Sequence, residues 1–81
     1  MNTDDARTLF RELLHRIAPE VELDDVDPDA PLQEAMDLDS MDFLNLVTAL
    51  HEQTGIDIPE RDYPSVSTVA GFVAYVVAAG P

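Results

Sequence analysis

Apolar residues recur at steps of three and four in three separate blocks of a chain only 81 residues long, and this pattern fixes most of what the chain can become. In the first block Ala6, Leu9, Phe10, Leu13, Leu14 and Ile17 fall on one helical face. In the second, Leu44, Val47 and Leu50 point inward beside Phe43 or Leu46, and in the third Val69, Phe72, Val73 and Val76 form the stripe. Amphipathic helices hide such stripes against one another, and a chain this short supports one core rather than two. Residues 1–81 are therefore expected to form a single domain. Each core side chain contributes roughly 1.5 to 3 kcal/mol when fully buried, against about 1 to 2 kcal/mol per residue for ordering the backbone, so net stability should be modest. A catalytic cleft walled by a second layer is hard to fit in this length.

Punctuation between the blocks sets the helix boundaries. Thr3 is placed to cap a first helix, with Asp4 and Asp5 in its positive first turn, and Pro19 ends it. Residues 19–39 hold Pro28, Pro31 and a dense run of acids, which predicts an irregular connection. Val21, Leu23, Val26, Leu32, Met36 and Leu38 are spread through it and would pin it across the bundle, so an ordered loop is expected. A second helix from Ser40 to Gln53 stops at Gly55. Pro59 to Tyr63 leave room for about one turn before Pro64, a short third helix. Ser67 would cap a fourth helix that Gly80 terminates. Its valines have mediocre helix propensity, and Val73 to Val77 could be a strand, but a lone strand has no partner here. The fold class expected is all-α: a small four-helix bundle of three main helices and one short one, with a long ordered loop between the first two.

Charge narrows the function. Seventeen Asp and Glu face four Arg, with no Lys, for a net charge of −13. Residues 1–18 balance, and the whole excess lies after the first helix, where Arg61 is the lone cation. Such a field repels nucleic acid and anionic lipid and steers the chain toward basic protein surfaces. The chain has no cysteine, which excludes a disulfide framework, a thiolate nucleophile and a Cys zinc site. The N-terminus is polar and acidic, unlike a secretory signal, and the apolar stretch from Val69 to Ala79 is too short to span a bilayer. A cytoplasmic, monomeric protein is the expectation.

Three chemistries compete for the remaining polar residues. Ser40 as a catalytic nucleophile needs a base within hydrogen-bond reach. His51 lies eleven residues on, about 16 Å along the helix, His15 could approach only through tertiary folding, and Gly-x-Ser-x-Gly is absent. Asp25, Asp27 and Asp29 mimic the opening of a calcium loop, but Ala30 stands where that loop needs glycine and Met36 where it needs a bidentate glutamate. No metal site is expected. The third reading is that Ser40, before an apolar-periodic run, simply caps a helix.

The segment Asp37-Leu38-Asp39-Ser40-Met41-Asp42, with Phe43 to Leu50 behind it, resembles the attachment segment of acyl carrier proteins. That family's motif is Asp-Ser-Leu or Asp-Ser-Met followed by an amphipathic helix. The resemblance runs from about Leu9 to Val76 and includes the Gly55-Ile56-Asp57-Ile58-Pro59 exit from the second helix. It implies a carrier rather than an enzyme, with a 4'-phosphopantetheine group joined to the Ser40 hydroxyl through a phosphodiester. A phosphopantetheinyl transferase would take that group from coenzyme A. Acyl intermediates held as thioesters on the arm would then be delivered to condensing or acyl-transferring enzymes of fatty acid, polyketide or related biosynthesis. By the same resemblance Asp39 belongs to the surface that the transferase reads, and its plain structural role is a second capping acid beside Ser40; the two roles are compatible. Asp42 and Glu52, with Met41 and Leu44 as apolar companions, are candidate contacts for basic patches on partners, although core packing is the simpler role for Leu44.

The second helix departs from carriers of bacterial fatty acid synthesis, which often place acidic residues where this chain has Asn45, Thr48 and His51. D-alanyl and aminoacyl carriers also use Leu-Asp-Ser-Met, and they are the nearest alternative within the fold. From a different class, an acidic helical binding module would use Ser40 only as a cap and would have no reason to accept phosphopantetheine. The chain opens at a methionine and ends soon after the fourth helix, which favours a discrete protein over a module of a larger synthase.

Overall fold

The computed structural model describes residues 1–80, and its order of elements follows the apolar blocks. Three main helices, α1 (Thr3–Ile17), α3 (Ser40–Thr54) and α4 (Val69–Ala79), are joined by a four-residue helix α2 (Leu32–Ala35) and two 3₁₀ segments, η1 (Leu23–Asp25) and η2 (Glu60–Val66). With η2 as the expected short third helix, this is the all-α bundle expected from the periodicity. Among the described residues no strand forms, and an isolated bridge pairs Pro31 with Thr68.

α1 packs against both α3 and α4, and η2 packs against α4. Ala6, Leu9, Phe10, Leu13 and Leu14 are the buried stripe of α1, while Ile17 is only partly covered at its end. On α4 the buried residues are Val69, Phe72, Val73 and Val76. The rings of Phe10 and Phe72 meet edge to face, with centroids 4.7 Å apart and planes at 82°. Residues 73–77 are helical rather than extended, because burying the valine face against α1 outweighs a weak intrinsic preference.

α3 corrects one expectation. Its buried residues are Phe43, Leu46, Val47, Ala49 and Leu50, and Leu44 is 44% exposed rather than inward. Phe43, Leu46, Val47 and Leu50 make the full three-four series of one face, and Leu44 lies one residue off it.

Two caps also lie one residue from where the sequence placed them. A cap needs extended backbone and an oxygen that reaches the amide three residues on. At α1 that residue is Asn2, whose side chain accepts from the Asp5 N–H at 2.7 Å, and not Thr3. At α4 it is Thr68, accepting from the Gly71 N–H at 3.0 Å, and not Ser67, whose hydroxyl donates to the Pro64 carbonyl at 2.9 Å. Gly55 ends α3 in the left-handed region at φ 77°, as a C-terminal stop requires.

The acidic connection is ordered, as its scattered apolar residues suggest, but it is less irregular than expected because η1 and α2 form within it. Leu23, Leu32, Met36 and Leu38 are buried, with Val21 and Val26 half-buried beside them. Two backbone hydrogen bonds lash it to the start of α4: Leu32 N–H to the Ser67 carbonyl at 2.7 Å, and Ala70 N–H to the Pro28 carbonyl at 3.0 Å. Asp24 receives both Arg7 and Arg11 at 3.5 and 3.1 Å, an exposed pairing worth little more than about 1 kcal/mol.

η2 runs through Pro64 to Val66, beyond the single turn expected. Proline removes a donor and breaks an α-helix, whereas a short run of 3₁₀ turns tolerates it, and completely buried Val66 anchors the end. That end lies hard against α4: a Cβ on residue 71 would collide with the Ser65 carbonyl oxygen. Gly71→Ala should therefore destabilise the fold, since overpacking of about 1 to 3 kcal/mol exceeds the roughly 1 kcal/mol gained in helix propensity. Thermal unfolding checks this, and an unchanged or raised midpoint would show that the backbone yields freely.

Candidate functional site around Ser40

The chain enters α3 through a tight turn. Asp37 holds a left-handed backbone at φ 54°, a conformation that aspartate tolerates better than most residues, and the Leu38 N–H donates to the Gln33 carbonyl at 2.9 Å. Asp39 then takes the extended geometry of a cap. Its carboxylate accepts from the Asp42 N–H at 2.8 Å, and the Asp42 carboxylate reaches back to the Asp39 N–H at a long 3.4 Å. This is a capping box built from two aspartates.

Ser40 is accordingly not the cap but the first residue of the helix, which removes its simplest structural role. It is exposed, and its hydroxyl has no hydrogen-bond partner among the described residues. Of the four amides that open a helix, those of Asp39 and Asp42 are taken by the box, and those of Ser40 and Met41 have no acceptor among the described residues. A reactive oxygen thus stands beside two open N–H donors and the positive end of a 15-residue helix.

The structure divides the other candidates between two faces. Met41, 66% exposed, and Leu44 stand one turn apart on the side of Ser40 and are the exposed large hydrophobic side chains among the described residues. Asp42 and Glu52 line a second groove, between α3 and the end of α1, together with Asn45, Thr48, Ala49, Ile17 and Arg16. Asp39 through Asp42 are brought together at the helix entrance, and Glu52 lies about 15 Å further along the axis.

Ser40 also opens onto a cleft of about 550 Å³ between α3 and η2 that inspection of the sequence did not find. Leu32, Phe43, Leu44, Tyr63 and Pro64 give it apolar walls, and Gln33, Glu60 and Ser67 add polar groups. Phe43 and Tyr63 meet edge to face at 5.3 Å. The one available signal was aromatic character at positions 43 and 63, twenty residues apart and on different elements. Next to Tyr63, Asp62 accepts a hydrogen bond from the Tyr75 hydroxyl at 2.8 Å, tying η2 to α4. That bond, with burial second, raises the Tyr75 pKa above 10.0. The tie is therefore intact at neutral pH and is lost as pH rises through the raised value.

Neither histidine lines the Ser40 cleft: His51 is exposed further along α3, and His15 lies in a groove with Arg11, Arg16 and Val21. Asp27 accepts from the Asp29 N–H at 2.9 Å in a local turn, and among the described residues no group of three His, Cys, Asp or Glu is placed to hold a metal ion.

Comparison with known proteins decides the family. The profile of the phosphopantetheine attachment site matches residues 4–76. An acyl carrier protein of Helicobacter hepaticus is 36% identical over 58 residues, covering 72% of this chain and 76% of the relative. Another, from Rubrobacter xylanophilus, is 35% identical over 57 residues and 70% of each chain. The chain belongs to the acyl carrier protein family. Members of this family are carriers rather than enzymes, and the cofactor of an acyl carrier protein is a covalently attached 4'-phosphopantetheine. The family implies interaction with a phosphopantetheinyl transferase and with biosynthetic enzymes.

The capping box of this carrier can be tested by itself. Asp39→Ala should cost about 1 kcal/mol by freeing the Asp42 amide, while Asp39→Asn, which keeps an acceptor oxygen, should cost only a few tenths. Urea unfolding of both variants measures the difference, and equal losses would show that charge rather than the cap is what matters.

Proposed function

We propose that Ser40 is the attachment point of the 4'-phosphopantetheine arm, and that the protein carries acyl intermediates for fatty acid, polyketide or related biosynthesis. The observation that carries this reading is the division of labour at the head of α3, where Asp39 does the capping and Ser40 is left with an exposed hydroxyl that has no hydrogen-bond partner among the described residues. A phosphodiester on that oxygen would lie within reach of the open Ser40 and Met41 amides and at the favourable end of the helix dipole. Neither histidine lines the cleft at Ser40, and in this reading proton removal is left to the transferase, which takes the group from coenzyme A. When bound, the arm supplies a terminal thiol on which an acyl group is held as a thioester.

The chain's own residues then govern recognition. Asp39 and Asp42 put two carboxylates beside the serine, in a protein of net charge −13, so an approaching transferase or acyl-transferring enzyme is favoured when its docking surface is basic. Met41 and Leu44 offer that partner exposed apolar contacts, and Asp42 and Glu52 add two separate carboxylates to the neighbouring groove, which Arg16, Asn45 and Thr48 also line.

The absence of cysteine gives a direct test. Incubation with coenzyme A, magnesium and a broad-specificity phosphopantetheinyl transferase should convert a protein with no titratable thiol into one with a single thiol. A thiol count that stays at zero under conditions that load another carrier would refute the reading.

A further inference from the structure

Of the three arginines of α1, Arg7 and Arg11 both pair with Asp24, whereas Arg16 makes no ion pair among the described residues. Arg16 stands exposed in the last turn of α1 and, with half-buried Ile17, lines one wall of the groove of about 400 Å³ that faces α3. The α3 wall is a row in which Asp42, Asn45, Ala49 and Glu52 follow at steps of three and four, with Thr48 beside them. Its two carboxylates stand at the ends of the row, about 15 Å apart, and the residues between them carry no charge. Neither carboxylate pairs with a cation among the described residues: Asp42 spends one oxygen on the capping box and Glu52 spends none. One groove thus holds two uncompensated anions and one uncompensated cation.

We propose that this groove docks a partner protein that presents an acidic side chain among its basic ones, and that Arg16 is the residue that selects it. The inference rests on the carrier reading, which supplies the reason for a partner to dock along α3. A net charge of −13 draws in any basic surface from a distance, and that attraction does not tell one basic patch from another. Contact does. A basic side chain is received by Asp42 or Glu52 at either end of the row, but one directed at the α1 wall meets the Arg16 guanidinium with no anion in return. A carboxylate in the same place is received by the planar fork of the guanidinium, and the Asn45 amide and Thr48 hydroxyl add donors to the groove. A uniformly basic patch is held at two points and repelled at a third, so the groove discriminates by an unfavourable contact as well as a favourable one. Arg16 also suits the negative end of the α1 dipole, a role that needs no partner. That role acts on stability and sets no preference among ligands, so the two are separable by measurement.

The test uses two isomeric helical peptides of identical composition. Each carries two lysines about 15 Å apart on one face and a single glutamate, which stands on the lysine face in one peptide and on the opposite face in the other. Their net charges are equal, so long-range attraction is the same for both. Each is titrated at low salt, where exposed pairs are least screened, into wild type, Arg16→Gln and Arg16→Glu, and binding is followed by backbone amide chemical shifts. The shifts should centre on Asn45, Thr48 and Glu52. Wild type should bind the same-face peptide about three- to fivefold more tightly than its isomer, the factor that one exposed ion pair supplies. Arg16→Gln should bind the two equally, and Arg16→Glu should prefer the opposite-face isomer. Thermal midpoints of the variants report the dipole role by itself. Absence of binding, equal binding by wild type, or a preference that survives in Arg16→Gln would overturn the proposal. The protein is used without its arm, so a failure of phosphopantetheine loading would count against Ser40 as attachment point and leave the peptide result standing.

Discussion

Phe72→Ala should cost about 3 to 5 kcal/mol, among the largest stability losses expected of any truncation in this protein. Phe72 is 1% exposed at the end of the first turn of α4 and meets Phe10, also 1% exposed, across the interface between the two terminal helices. Truncation loses the transfer energy of the ring, the edge-to-face pairing with Phe10, and whatever cavity the neighbours fail to fill. At roughly 0.05 to 0.15 kcal/mol per residue, 81 residues give a total of about 4 to 12 kcal/mol, so this one change removes a large share of it. The thermal midpoint should fall by at least about 12 °C, and Phe72→Leu by much less because it keeps most of the volume. Loss of only a few degrees in Phe72→Ala would mean that α4 is not packed against α1 as described.

The parts of this fold legible in the sequence are those whose signal is local. The three main helices announce themselves by apolar spacing, and Gly55 by its place just after the second. The caps were displaced by one residue because Asn2-Thr3, Asp39-Ser40 and Ser67-Thr68 each offer two adjacent capping side chains, and backbone geometry chooses between them. At Ser40 that single step carries the functional meaning, since it separates a serine occupied in structure from one free for chemistry. Leu44 was misplaced because apolar residues crowd α3 on more than one face, so composition alone does not choose the buried stripe. Pro64 hid the second half of η2, and the burial of Val66 at its end depends on how that segment packs against α4. The cleft is the product of a contact between residues 43 and 63, and no local pattern encodes it. Of the site itself, Asp39, Met41 and Asp42 emerge as neighbours of Ser40, whereas Glu52 stands apart along the next groove.

Ser40→Ala should abolish attachment of phosphopantetheine completely while leaving the fold intact. The two halves of this expectation come from the same geometry. Ser40 is exposed and its hydroxyl makes no hydrogen bond among the described residues, so removing one oxygen disturbs nothing in the core. Because Asp39 and Asp42 cap the helix between them, alanine at the first helical position is well tolerated. A change in stability within about 0.5 kcal/mol is expected, as for surface substitutions that leave no buried group unsatisfied. Were Ser40 the true cap, the same substitution would cost about 1 kcal/mol and shorten α3.

Intact mass of wild type and Ser40→Ala, each incubated with coenzyme A, magnesium and a broad-specificity phosphopantetheinyl transferase, tests the central claim most directly. The expected result is one phosphopantetheine on wild type and none on the variant, with both proteins giving the same helical circular dichroism. Equal modification of both would place the arm on another side chain, and modification of neither would contradict the assignment of Ser40 as the attachment point.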